Sequence, residues 1–175
     1  MKLKLIIAFV LTMICSTTFA YNFSQAQVSN MKQAYSYGNK YAKQLPKSRH
    51  GDLNLGYIMA AILWQESSAG INCGKNGHAV GPYQNYIPTV KSRMKQNGVT
   101  KSNAQIASEL KQFDRSAYWA HTEMEYWLKV HNGSMPKALA SYNAGWQISK
   151  GKSYSSSVIK KAQYLKTNDV LKVEK

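Results

Sequence analysis

The sequence is poor in acid, proline and cysteine. Asp plus Glu number 8 against 23 Lys plus Arg in 175 residues, a formal charge of +15. A chain so basic is drawn to polyanions, and the compartment decides which. With 4 Pro and 11 Gly and no repeat, collagen and low-complexity chains are excluded. Outside the N-terminus no apolar run is long enough to cross a bilayer, which excludes a polytopic membrane protein. What is present is 44% hydrophobic, with 12 Tyr and 4 Trp, too much for intrinsic disorder. The length fits one compact domain.

The first twenty residues read as a secretory signal. Lys2 and Lys4 supply the positive start, Leu5 to Cys15 the apolar stretch, and Thr18-Phe19-Ala20 a small-x-small cleavage site before Tyr21. An anchor helix is the bland alternative, but the stretch is short and Ser16, Thr17 and Thr18 interrupt it. A lipid anchor on Cys15 lacks the small residue expected before the cysteine. Cleavage would remove two of the 23 basic residues and no acid, leaving 21 against 8, a net of +13. It would also leave Cys73 as a single thiol with no internal disulfide, so residues 21–175 would depend on their core.

Apolar periodicity predicts a mostly helical domain. Val28, Met31, Tyr35, Gly38, Ala42 and Leu45 recur at steps of three and four, giving a helix over 25–45 that ends before Pro46. Leu55, Met59, Ile62 and Glu66 lie on one stripe of a second helix, ended by Gly70. Residues 70–86, rich in Gly and Asn, form a loop or small hairpin. Helix returns over 88–96 and again from Ser102, where Ser102-Asn103-Ala104-Gln105 has capping-box form, to about Phe113. A longer helix spans 114–131 and stops at Asn132-Gly133; Ser134 and Pro136 open a short one through Tyr142; the last occupies about 155–166.

Glu66 is the odd member of the second helix, because it continues an apolar stripe. At the helix C-terminus the negative end of the dipole disfavours ionisation, and Leu63 and Trp64 exclude water. Both effects raise the pKa, as a proton donor working near neutrality requires. A frayed helix end with Glu66 in water is the other reading.

Three short motifs follow in order: Ala61-Ile62-Leu63-Trp64-Gln65-Glu66-Ser67-Ser68, then Val80-Gly81-Pro82-Tyr83-Gln84, then Ala138-Leu139-Ala140-Ser141-Tyr142-Asn143-Ala144-Gly145. Together they resemble the catalytic domain of the lytic transglycosylases of the soluble type related to goose-type lysozyme, over roughly residues 50–150. The resemblance implies a lysozyme-like α+β fold, predominantly helical, with a small hairpin insert, and cleavage of the MurNAc-GlcNAc β-1,4 bond of peptidoglycan. By position, Glu66 would be the acid/base, Ser67 would help hold its carboxyl and the substrate, Gln84 would contact the glycan, Tyr142 would hydrogen-bond Glu66, and Asn143 would bind the sugar beside the scissile bond. Pro82-Tyr83 replaces the family's Leu-Met, and Pro88 falls one place late, so the cleft floor is expected to differ. Tyr164 is either the family's C-terminal cleft tyrosine or a packing residue.

Glycoside cleavage ordinarily needs two carboxyl groups, yet Ser67 to Ser108 contains no Asp or Glu. The expectation is a mechanism with one carboxylate, in which the substrate supplies the nucleophile and a 1,6-anhydroMurNAc end forms; a hydrolytic muramidase using the same Glu66 is the alternative. Glu109, Asp114, Glu123 and Glu125 read as solvated helix faces. Of the large aromatics Trp64, Tyr83, Tyr86, Trp119, Trp127, Tyr142 and Trp146, Tyr83 and Tyr142 are expected at the cleft and the others in the core.

No cofactor or metal is expected: His50, His78, His121 and His131 lack ligand spacing, and Cys73 lacks the setting of a nucleophile. Basic residues are not interleaved with aromatics as in a nucleic-acid module, so no nucleic acid is expected as partner. The expected partners are peptidoglycan strands and, where such an enzyme opens the wall locally, a secretion or conjugation apparatus. The expected place is the periplasm or envelope, or outside the cell. A cationic glycan-binding protein without turnover is the non-enzymatic alternative.

Overall fold

The computed structural model describes residues 21–42, 54–74 and 77–172. The signal segment, the cleavage site, Cys15 and the expected helix end at Leu45-Pro46 lie outside the described residues. Seven helices and one two-stranded hairpin follow in chain order: α1 Gln25–Ala42, α2 Leu55–Ser67, β1 Ala79–Val80, β2 Asn85–Tyr86, α3 Ile87–Gln96, α4 Asn103–Leu110, α5 Phe113–Val130, α6 Met135–Ala144 and α7 Ile148–Thr167. The strands are antiparallel, with Ala79 opposite Tyr86 and Val80 opposite Asn85. The fold is predominantly helical, and among the described residues no helix is long and apolar enough to cross a membrane.

The helix ends have local causes. Asn54 caps α2 by accepting from the Tyr57 amide at 3.1 Å. Ser102 and Gln105 form the expected capping box on α4. α2 ends at Ser68, two residues before Gly70, in the left-handed conformation. The turn keeps that conformation through Ala69 and Gly70. α1 steadies it: Gln27 donates to the Ser68 carbonyl at 3.1 Å and Asn30 to the Ala69 carbonyl at 2.9 Å.

α2 is buried on nearly every side, from Leu55 through Leu63, which makes it the central helix, packed between α1 and α7. α5, α6 and α7 complete the main core with Met124, Leu139, Val158 and Leu165. A smaller core joins α3, α4 and α5 through Val90, Met94, Ile106, Leu110 and Trp119. α5 serves both, and a cleft opens where the two part.

α7 departs from expectation by starting at Ile148, seven residues early. Lys150, Gly151 and Lys152 hide a helical start because they break the apolar pattern. Gly151 is there for contact: a Cβ at that position would lie 2.0 Å from the Ala140 carbonyl oxygen of α6.

Candidate functional site

The cleft encloses about 860 Å³. Glu66 lines it, with the hairpin and α3 on one wall, α5 on another, and residues 141–145, Gln147 and Lys150 on a third. Its position in the last turn of α2 brings the Glu66 carboxyl to the cleft while the body of the helix stays in the core.

The Tyr154 hydroxyl donates to Glu66 Oε1 at 2.5 Å. This corrects the expectation for Tyr142, whose hydroxyl donates instead to the Tyr83 carbonyl at 3.3 Å. The rings of Tyr142 and Tyr154 stack with centroids 6.2 Å apart. Tyr142 therefore buttresses the phenol that touches Glu66. Burial raises the Glu66 pKa, and the Tyr154 bond, which favours the carboxylate, opposes the rise. Both phenols are pushed well up, by burial first and then by the negative charge of Glu66. They remain neutral donors. One turn beyond Tyr154, Ser157 donates to Gln65 Oε1 at 2.8 Å, so α7 grips the end of α2 at two adjoining residues.

Other expected site residues divide. Asn143 is exposed and lines the cleft. Gln84 also lines it, but its amide nitrogen donates to the carbonyls of Cys73 at 2.5 Å and Gly81 at 2.7 Å, so it ties the loop after α2 to the hairpin turn. Ser67 does not hold the carboxyl. Its hydroxyl donates to the Leu63 carbonyl at 3.2 Å and accepts from the Gly70 amide at 2.8 Å, closing the helix end. Tyr83 is not a cleft residue: it is fully buried, facing Phe113, while Ser116 of α5 accepts from its amide at 3.2 Å. Pro82-Tyr83 thus turns an aromatic side chain into the core, away from the cleft lining. Tyr164 takes the packing role, accepting from the Tyr21 amide at 2.9 Å within a cluster with Phe23 and Trp64.

Glu123 is the other correction. Both of its oxygens accept from Arg93, at 2.9 and 3.2 Å, with each side chain only 13% exposed, and the pair lines the cleft. The Arg93 guanidinium also lies 3.4 Å from the Tyr126 ring centroid. The other three acids expected on helix faces are also partnered: Glu125 with Lys129, Glu109 with Lys101, and Asp114 accepting from Gln33. Trp127 and Trp119 line the cleft from α5 although nearly buried, whereas Tyr86 and Trp146 are exposed.

Two participants were missed in the sequence. Tyr154 fell outside the expected last helix; the spacing Gly151, Tyr154, Ser155, Val158, Ala162, Leu165 carries the signal once Gly151 is counted as a core position. Arg93 has no local signal, since Glu123 is thirty residues away. Among the described residues no group of three or more His, Cys, Asp or Glu is arranged to hold a metal. Cys73 is half-buried and its thiol pKa is pushed up by burial, the reverse of an activated thiolate.

The described residues thus bring two carboxyls to one cleft of a predominantly helical fold, Glu66 held by a phenol and Glu123 by a guanidinium. Over 158 residues it is 42% identical to a protein of enterobacteria phage T4, described as an uncharacterized 20.7 kDa protein in the vs-regB intergenic region, the match spanning 87% of each chain. It belongs to the family of that phage protein. No family model and no solved structure matches it.

Proposed function

We propose that the protein is a peptidoglycan lytic transglycosylase with a lysozyme-like fold, acting in the periplasm or envelope after export. The observation that carries the reading is Glu66, bonded by Tyr154 in a cleft of about 860 Å³ and kept toward its protonated form by burial. The order of the three sequence motifs is its other support.

In this reading protonated Glu66 gives its proton to the glycosidic oxygen as the bond from MurNAc C1 breaks. The resulting carboxylate, stabilised by the Tyr154 hydroxyl, then takes the proton of the MurNAc C6 hydroxyl as O6 bonds to C1. The products are a 1,6-anhydroMurNAc end and a free GlcNAc hydroxyl, and Glu66 is again protonated. Water is not consumed. Tyr154 accordingly acts by orienting one carboxyl oxygen, leaving the other for the substrate.

A hydrolytic muramidase has one observation in its favour, a second carboxyl, Glu123, in the same cleft. Against it, the Arg93 fork bonds both oxygens of Glu123 and fixes that carboxylate in an ion pair, whereas Glu66, among the described residues, carries only the one phenol bond. Digestion of purified sacculi followed by mass analysis separates the two, because anhydro ends are lighter by one water than reducing ends. Glu66→Gln is expected to lower cleavage by roughly 10²- to 10⁴-fold while sacculus binding persists; cleavage at the wild-type rate would sink the proposal. Glu123→Gln is expected to change the rate less than about fivefold, whereas a loss as deep as that of Glu66→Gln would favour the two-carboxyl hydrolase.

A further inference from the structure

We propose that Trp146 is a stacking platform for a saccharide ring, extending the cleft beyond Glu66 along the wall between α6 and α7. The ligand class, an amino-sugar strand, rests on the reading above; the platform itself requires no particular cleavage chemistry. Trp146 is 70% exposed, a large indole left in water where such side chains are ordinarily covered. It is nevertheless held. Its ring meets Trp127 edge-to-face at 5.0 Å and 80°, and Trp127, 4% exposed, stacks at 5.7 Å on His131, whose Nε2 lies 2.9 Å from Ser141 Oγ. An edge-to-face contact leaves a broad indole face open.

The backbone places it beside the cleft, outside the lining itself. Gly145, with φ 59° and ψ −131°, occupies a conformation closed to side-chain-bearing residues, and it turns the chain between the two helices. Gly145 and Gln147, on either side of Trp146, both line the cleft, as does Trp127 beneath it. On the hairpin wall Tyr86, 54% exposed, offers a second aromatic to the same cleft.

The chemistry around the indole selects the ligand. A pyranose ring has an apolar face of axial C–H groups that packs on an indole, and in-plane hydroxyl and amide groups that need hydrogen-bond partners. The rims supply those in Thr89, Ser92, Asn143 and Gln147. A nucleic-acid strand would call for a row of free cations, whereas the lining carries two cations, Arg93, committed to Glu123, and Lys150.

The test uses peptide-free glycan strands prepared from sacculi, titrated against the intact protein and followed by tryptophan fluorescence. Wild type is expected to show a blue shift on binding, and Trp146→Phe to abolish most of it. Trp146→Ala should weaken binding about tenfold and Trp146→Phe about two- to threefold, with unchanged melting temperatures. During turnover the loss should fall on KM more than on kcat. Trp146→Ala binding within twofold of wild type would overturn the platform whether or not the strands are cut. Strands that bind through Trp146 but are never cleaved would uphold the platform and sink the transglycosylase reading. No binding by wild type would sink both.

Discussion

Glu66 owes its properties to where α2 ends. Its continuation of an apolar stripe was legible in the sequence, as was the upward direction of its pKa; the phenol that opposes the rise was not, because Tyr154 lies 88 residues away. The opposition gives a sign. Removing the Tyr154 hydroxyl takes away a bond that favours the carboxylate, so Tyr154→Phe is expected to raise the Glu66 pKa further. If protonated Glu66 starts the reaction, the alkaline limb of the pH–rate profile moves upward, while the maximum rate falls on the order of tenfold as the carboxyl loses its orientation. A downward shift would contradict that role. Stability follows the same linkage. With the folded pKa above the unfolded one, the stability tied to Glu66 is present in full below the ordinary carboxyl range. It is lost as pH rises through the raised value. Glu66→Gln should therefore melt above wild type at pH 7, and the gap should shrink toward pH 4. A gap that widened in acid would mean that the charged form, not the neutral one, is favoured by folding.

At the level of elements, the site depends on how closely α7 lies against α6. Gly151 faces the Ala140 carbonyl, and three residues later the same helix presents Tyr154 to Glu66. By helix propensity alone Gly151→Ala would stabilise by up to about 1 kcal/mol. Here the added methyl must push backbone apart, so a loss of about 1–3 kcal/mol is expected, a melting point lower by about 3–10 °C. Cleavage should fall with it as Tyr154 moves away from the carboxyl. A melting point that rose would show the two helices to be more loosely apposed. Ser102 and Asn132-Gly133 announce their helix termini because capping and left-handed turns are local chemistry. The start of α7 is silent, since its small residue answers to a neighbour distant in sequence. Ser67 illustrates the same divide: its position beside Glu66 was readable, its hydrogen bonds into the helix end were not.

For the whole molecule, the charge of +15 matters more for approach than for catalysis. Within the cleft Arg93 is balanced by Glu123 and Lys150 is the other cation, so attraction to an anionic wall should act mainly at long range and be screened by salt. Sacculus binding measured by pelleting is expected to weaken several-fold between about 50 and 300 mM salt, where the Debye length falls from above 10 Å to well below it. Binding indifferent to salt would assign attachment to sugar contacts alone. The amino-acid sequence by itself determined the helical character, most helix termini, the basic charge and the singular carboxyl of Glu66, because periodicity, capping and composition are properties of neighbours along the chain. Only the tertiary structure decided that Tyr154 and not Tyr142 touches that carboxyl, that Tyr83 turns inward, that Arg93 occupies Glu123, and that Trp146 stays uncovered. Each of these follows from the packing of distant segments, which fixes distances that residue order leaves free.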